Sequence, residues 1–284
     1  MLFLVSTPIG NLGDITFRAV ETLRSCDLIL CEDTRHSLKL LQHYDISKPL
    51  KSYHKFNQKE SKEGLLEAWA AGKKIALITD AGTPGISDPG IELVQLCREQ
   101  GIPITAIPGP CAAIQALCCA GFPTDRFQFW GFLPKKEEEL QRTLKKILTY
   151  EGTTICYESP LRVVHVVKAL AAIAPDRDIA VGRELTKKFE EVVSGKASVL
   201  QTYWQDSHPK GEIVLLIGPA ETAVEVDWSS LSPEEHVSWM EKAYYLSRQE
   251  AIKMVAQLRG VPKRVIYNQT TCEANERPPK SRDG

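Results

Sequence analysis

The chain has 284 residues, enough for two domains or one large one, and its 43% hydrophobic and 25% charged content is that of an ordinary globular protein. A net charge of −1 gives no whole-molecule attraction to nucleic acid or membrane, and no apolar run approaches the length of a membrane span. The opening MLFLVSTP is too short and too poor in basic residues for a signal peptide, and the eight cysteines form no CxxC pair. That usage argues against a zinc site or a disulfide scaffold and implies reduced, mostly buried thiols in a cytoplasmic protein without a metal.

In chain order, LFLV (2–5) reads as a strand and ITFRAVETLRS (15–25) as a helix, with Ile15, Val20 and Leu23 on one stripe. DLILC (27–31) is a second strand and SLKLLQHY (37–44) a helix. SKEGLLEAWAAG (61–72) is a helix closed by Gly72. IALIT (75–79) and ITAIP (104–108) are strands with the helix IELVQLCREQ (91–100) between them. These strands are continuous apolar runs, the pattern of a parallel sheet buried on both faces. Asp88–Pro89 fits an N-cap and N1 pair opening the helix at 89–100, and Asp14 a cap for the 15–25 helix.

After Gly121 the texture changes. DRFQFWGFLP (125–134) is aromatic-rich, EEELQRTLKKILTY (137–150) and LRVVHVVKALAAI (161–173) are helical, and TTICYES (153–159), DIAVGREL (178–185), FEEVVSG (189–195) and GEIVLLIG (211–218) are strand-like. Strands without helices between all of them predict a mixed sheet. The fold class is therefore α/β, with one domain over 1–120, a second over 121–220, a linker over 221–235 and a helical segment over 236–272 before a disordered tail at 273–284. Ser247 and Glu250 form a capping box at the start of SRQEAIKMVAQLRG (247–260), and VPKRVIYNQT (261–270) adds a turn and a short helix. Between 242 and 282 nine Lys and Arg stand against three Glu, a basic appendage on an acidic body. That asymmetry fits a polyanionic partner, and equally a solvated helical face.

Three loops rich in Gly and Pro follow strands: STPIGNLGD (6–14), DAGTPGISDPG (80–90) and PGPCAA (108–113). In an open parallel sheet ligands bind at the carboxyl ends of strands, where Gly admits a ligand close to the backbone and Pro fixes the loop. The chain has neither GxxxxGK[ST] nor GxG, so neither a Walker loop nor a dinucleotide fingerprint is present.

STPIGNLGDIT, CEDTR, ITDAGTPGISDPG, IPGPCA, FQFWGFLP, YESPLR, RELTKKFEE and GEIVLLIG together resemble the tetrapyrrole-methylase superfamily over about residues 2–218. LSRQEAIKMVA extends the resemblance to the C-terminal segment. Within the superfamily the motifs resemble the branch that 2′-O-methylates a cytidine of 16S ribosomal RNA in the decoding centre. Gly82–Thr83–Pro84 stands where the vitamin-B12 pathway enzymes usually carry a GDP triplet. Cys111 stands where the family's loop usually reads PGPSA, which exchanges a hydroxyl for a weaker hydrogen-bonding thiol.

The resemblance implies two α/β domains of the tetrapyrrole-methylase type with S-adenosyl-L-methionine in the cleft between them, a homodimer, and the small ribosomal subunit as partner. By position in the motifs it assigns cofactor contact to Pro8, Gly82, Thr83, Pro84, Ile86, Ser87, Ala112 and Ala113, and from the second domain to Tyr157, Ser159 and Glu212. A ribose hydroxyl is a weak acid, so an acceptor for its proton is expected beside it. Asp33, at the end of the second strand, and Asn11, in the first loop, are the candidates, with His54 and Glu184 behind them. Asp33 and Arg35 read equally well as a structural ion pair. For RNA, Arg35, Lys55 within YHKFNQK, and Arg248, Lys253, Lys263 and Arg264 are the candidate contacts. The alternative is a small-molecule methyltransferase of the same fold acting on a planar, tetrapyrrole-like acceptor. A third reading is a non-catalytic RNA-binding protein that keeps the cofactor fold.

Overall fold

Residues 1–54, 58–203, 209–220 and 228–271 are described by a computed structural model. Their strands form two five-stranded sheets. The first contains β1 (Leu2–Val5), β2 (Leu28–Cys31), β3 (Leu50–Ser52), β4 (Ile75–Leu77) and β5 (Ile104–Ile107) in the order β3-β2-β4-β1-β5. Every pairing in it is parallel. Successive side chains point to opposite faces, and both faces are covered. Ile29 packs with Val5, Leu23 and Leu41 on one side, while its neighbour Leu30 packs with Leu2, Leu65 and Leu93 on the other. The covering helices are α1 (Phe17–Ser25), α2 (Thr34–His43), α3 (Gln58–Ala70) and α4 (Ile91–Glu99).

Helix α5 (Ala112–Ala120) follows β5 in the chain, yet Ala113, Ala116 and Leu117 pack on Ile155, Ala180, Val214 and Leu216 of the second sheet. That sheet contains β6 (Phe127–Phe132), β7 (Thr153–Glu158), β8 (Asp178–Arg183), β9 (Glu191–Lys196) and β10 (Ile213–Ile217) in the order β6-β7-β10-β8-β9. Only β6–β7 is parallel, so the sheet is mixed as expected. Its other face is covered by α6 (Glu137–Leu148), α7 (Pro160–Ile173) and α8 (Ala197–Tyr203), with Leu144, Val163, Val167, Leu170 and Leu200 at the contact.

Three C-terminal helices, α9 (Pro233–Tyr244), α10 (Arg248–Leu258) and α11 (Lys263–Thr271), bury Val237, Met240, Ile252, Val255 and Ile266 among themselves. They are tied to the second sheet by Arg177. Its buried guanidinium donates to the carbonyls of Leu148 and Gly218 and to the Tyr245 hydroxyl.

Several local expectations need correction. α1 is capped by Thr16, whose hydroxyl accepts from the Ala19 amide, and not by Asp14. α4 starts at Ile91 behind Gly90, so Asp88 does not cap it and Pro89 is not its first residue. Gly90, at φ 144, is the N-cap residue, and no side chain caps this helix end. The helix α9 begins at Pro233, inside the stretch read as linker, with a capping box of Ser232 and Glu235. β3, α5 and α8 are short or lack a clear period and were not expected. The capping box of Ser247 and Glu250 is present. Lys55, Cys272 and the tail at 273–284 lie outside the described residues.

Candidate functional site

The order β4-β1-β5 explains how three loops far apart in sequence meet. Those strands are adjacent and parallel, so the loops that follow them leave the same edge of the sheet. Hydrogen bonds stitch them together. The Thr7 amide donates to the Gly82 carbonyl at 2.9 Å and the Gly82 amide returns a bond to Thr7 at 3.1 Å. The Thr83 hydroxyl lies 3.0 Å from the Pro110 carbonyl and 3.0 Å from the Ser6 hydroxyl, which also reaches the Ile107 carbonyl at 3.3 Å.

Between these loops and the second sheet lies a cleft of about 370 Å³, the size that encloses a small organic ligand. Its wall includes Gly82, Thr83, Ile86, Ser87 and Ala112 from the segments after β4 and β5, and Tyr157, Ser159 and Glu212 from around β7 and β10. The sequence-derived positions Pro8, Pro84 and Ala113 are not in the lining. Residues not expected there are apolar Ile9, Phe132, Leu185, Ile213 and Val214, and polar Asp88 and Glu158. The motifs contain all of these, but only the tertiary contact shows which strand-end side chains turn toward the gap. Ser87 holds φ at +64 without being glycine, a backbone strain that collects at ligand-binding sites.

Burial sets the electrostatics. The Asp88 carboxyl is pushed up to about 6 by desolvation, opposed by the Thr79 hydroxyl, with Glu32 and Asp80 adding smaller like-charge repulsion. The Tyr157 phenol is pushed well above its ordinary range by burial. Its hydroxyl faces the Cys111 thiol and the Ala113 amide. Cys111 occupies the N-cap position of α5 and makes no side-chain capping bond. Glu158 is buried, accepts from the Ser159 amide at 2.7 Å and pairs with Arg162 at 3.3 Å. Arg162 in turn donates to the carbonyls of Leu133 and Pro134, fixing the exit of β6 against the start of α7.

One lip of the cleft is an ion trio. Lys187 bridges Glu184 at 2.9 Å and Glu212 at 3.0 Å, and holds the Glu184 carboxyl below its ordinary range. Gly211, at φ +93, leaves room for this: a Cβ there would fall 2.2 Å from a Glu184 carboxylate oxygen.

The remaining sequence-derived candidates lie elsewhere. Asn11 caps a short 3-10 turn by accepting from the Gly13 amide. Asp33 caps α2, and its carboxylate takes two side-chain bonds from Arg35, at 3.1 and 2.7 Å, which hold it well below the usual carboxylate range. Neither residue lines the cleft, although the Asp33 amide reaches Asp80, next to the lining residue Ala81. Arg248 is engaged by Glu234 and Glu241 and by the Thr270 carbonyl, and so holds the C-terminal helices together. Lys253, Lys263 and Arg264 are exposed.

The family model for tetrapyrrole (corrin/porphyrin) methylases matches residues 1–201, and the chain belongs to that family. Among individual proteins, it is 43% identical over 94% of its length to the ribosomal RNA small subunit methyltransferase I of Halalkalibacterium halodurans, covering 93% of that protein. It is 43% identical to the protein of the same name from Synechocystis, over 94% of this chain and 96% of that one. In fold it is similar to a cobalt precorrin-4 methyltransferase (TM-score 0.58, 19% identity, 76% of this chain and 94% of that one). It is also similar to a diphthine synthase (TM-score 0.59, 15% identity, 78% and 90%). Among the described residues no helix is long and apolar enough to cross a membrane.

Proposed function

We propose that this chain transfers a methyl group from S-adenosyl-L-methionine to the ribose 2′-hydroxyl of a cytidine in 16S ribosomal RNA, at the decoding centre of the small subunit. The observation that carries the reading is the reach of the likeness. The relatives named as ribosomal RNA methyltransferases match over 94% of the chain, a span that extends into the C-terminal helices. The small-molecule enzyme of the same fold covers 76%.

The cleft fits the cofactor. Apolar walls of Ile9, Leu185 and Val214 suit a nucleoside, while Thr83, Ser87, Ser159 and Glu212 are polar groups for its amino-acid and ribose ends. When bound, the cofactor supplies a sulfonium methyl with its leaving group built in. The chain's task is then to position the acceptor, exclude water and take up one proton. Asp88 lines the cleft and, with a value of about 6, is largely ionised at neutral pH, so it suits the uptake of the hydroxyl proton. Asp33, neutralised by Arg35, is a weaker acceptor, and its role in this reading is to seat Arg35 for a phosphate. Asn11, in the turn after β1, would orient the acceptor strand. Lys253, Lys263 and Arg264 would bind the RNA backbone, and the reaction belongs to the cytoplasm. A homodimer, checked by sedimentation, completes the reading.

The test is to incubate the protein with radiolabelled S-adenosyl-L-methionine and small ribosomal subunits lacking the modification, and to map the label. Label on one cytidine ribose is the expected result. No label, with cofactor binding confirmed by calorimetry, would refute the RNA reading and move a small-molecule acceptor to the front.

A further inference from the structure

Strand β6 carries an irregularity with a consequence for the cleft. In its parallel pairing with β7, Phe129 lies opposite Ile155, but Gly131 lies opposite Cys156 and Phe132 opposite Tyr157. Trp130 is thus an extra residue, a β-bulge. Ile155 and Tyr157 face the α5 side of the sheet, and Cys156 faces the α7 side. Without the bulge, simple alternation would put Gly131 beside Tyr157 and turn Phe132 to the far face. With it, Phe129 and Phe132 share the face of Tyr157. Their ring centroids lie 4.9 and 5.9 Å from its own, both edge-on. The bulge needs Gly131, whose φ is +64 and where a Cβ would stand 3.2 Å from the Ser87 hydroxyl of the 80–90 loop.

Phe132 lines the cleft and leaves 61% of its surface open. Phe17 and Phe189 are more open still, at 92% and 66%, but neither lines the cleft. Phe132 is not stacked on Tyr157, their ring planes standing 64° apart, and its open area can take a planar partner. Unpaired RNA bases are recognised by stacking on such rings.

We infer that Phe132 is the platform on which the base of the acceptor nucleotide stacks, and that the bulge at Trp130 exists to present it. The inference rests on the RNA reading above and adds to it the group that holds the target base. A stacked base would bring its own ribose to the mouth of the cleft, on the side where Asp88 and Tyr157 stand.

The test compares the full-length wild-type protein with Phe132→Leu and Phe132→Trp in three measurements. These are cofactor affinity by calorimetry, methyl transfer to unmodified small subunits, and oligomeric state by sedimentation. Leu keeps apolar bulk without a π face, and Trp keeps the face. Phe132→Leu is expected to lower kcat/KM for the subunit roughly ten- to a hundredfold, chiefly through KM, with cofactor affinity unchanged, while Phe132→Trp stays near wild type. Wild-type kcat/KM in Phe132→Leu overturns the inference. So does a matching loss of cofactor affinity, which would make the ring a cofactor contact. A changed oligomeric state at unchanged RNA kinetics would make it a protein contact and also overturns it. The RNA reading fails separately, and visibly, if the wild type binds cofactor and labels no subunit RNA; the stacking role then falls with it.

Discussion

Replacing Asp88 by Asn should stabilise the protein and disable it, and the size of the first effect follows from the site. The carboxyl has an ordinary value of 3.8 and is pushed to about 6 in the fold, chiefly by desolvation. A carboxyl raised in the folded state releases its proton later than in the unfolded chain. Folding therefore loses stability as pH rises from about 4 through about 6, and the loss is complete above that window. Two pKa units correspond to at most about 3 kcal/mol, and partial solvent contact reduces this to roughly 1.5 kcal/mol. Asn resembles the protonated acid at every pH. Urea unfolding of the two proteins should therefore give equal stability near pH 4 and an advantage of about 1–1.5 kcal/mol for Asp88→Asn at pH 8. In the methylation assay the same variant should lose at least a hundredfold in rate, the scale of a removed general base. Parallel stability-versus-pH curves for the two proteins would refute the burial argument. Wild-type methylation by Asp88→Asn would remove Asp88 as proton acceptor.

Other outcomes follow from the same geometry. Gly211→Ala forces an L side chain to φ +93 and drives Glu184 off Lys187 and the Glu212 amide. It should cost about 2–3 kcal/mol in urea unfolding, and a cost under about 0.5 kcal/mol would show that the trio is not held as described. Arg177→Met removes the bond to the Tyr245 hydroxyl at the end of α9 and leaves the Leu148 and Gly218 carbonyls without their donor. Limited proteolysis should then release the C-terminal helices faster than in wild type, and an unchanged digestion pattern would refute the tie. Asp33→Ser keeps a capping group for α2 and should retain most methylation, whereas a hundredfold loss would return Asp33 to the chemistry. Exchanging Lys253, Lys263 and Arg264 together for Gln should reduce the salt slope of RNA binding by about 2, and an unaltered slope would exclude them as phosphate contacts.

The sequence by itself determined the kind of fold and the material of the site. Short unbroken apolar runs such as LILC and IVLLI fit strands covered on both faces, and the Gly/Pro loops mark strand ends shaped for a ligand. Both signals are local, a matter of period and composition within about ten residues, so they survive without a partner structure. Tertiary structure alone decided where side chains point once strands are paired. The order β4-β1-β5 joins loops some seventy residues apart, a pairing that no local period encodes. Asp88, expected as a helix cap, lines the cleft, while Gly90 takes the N-cap position of α4. Arg248 reads as a free cation in sequence, but Glu234 approaches it only through the packing of α9 on α10. In β6 one unpaired residue moved Phe132 from one face of a sheet to the other. Register is a property of two strands together, and so it is invisible in either one alone.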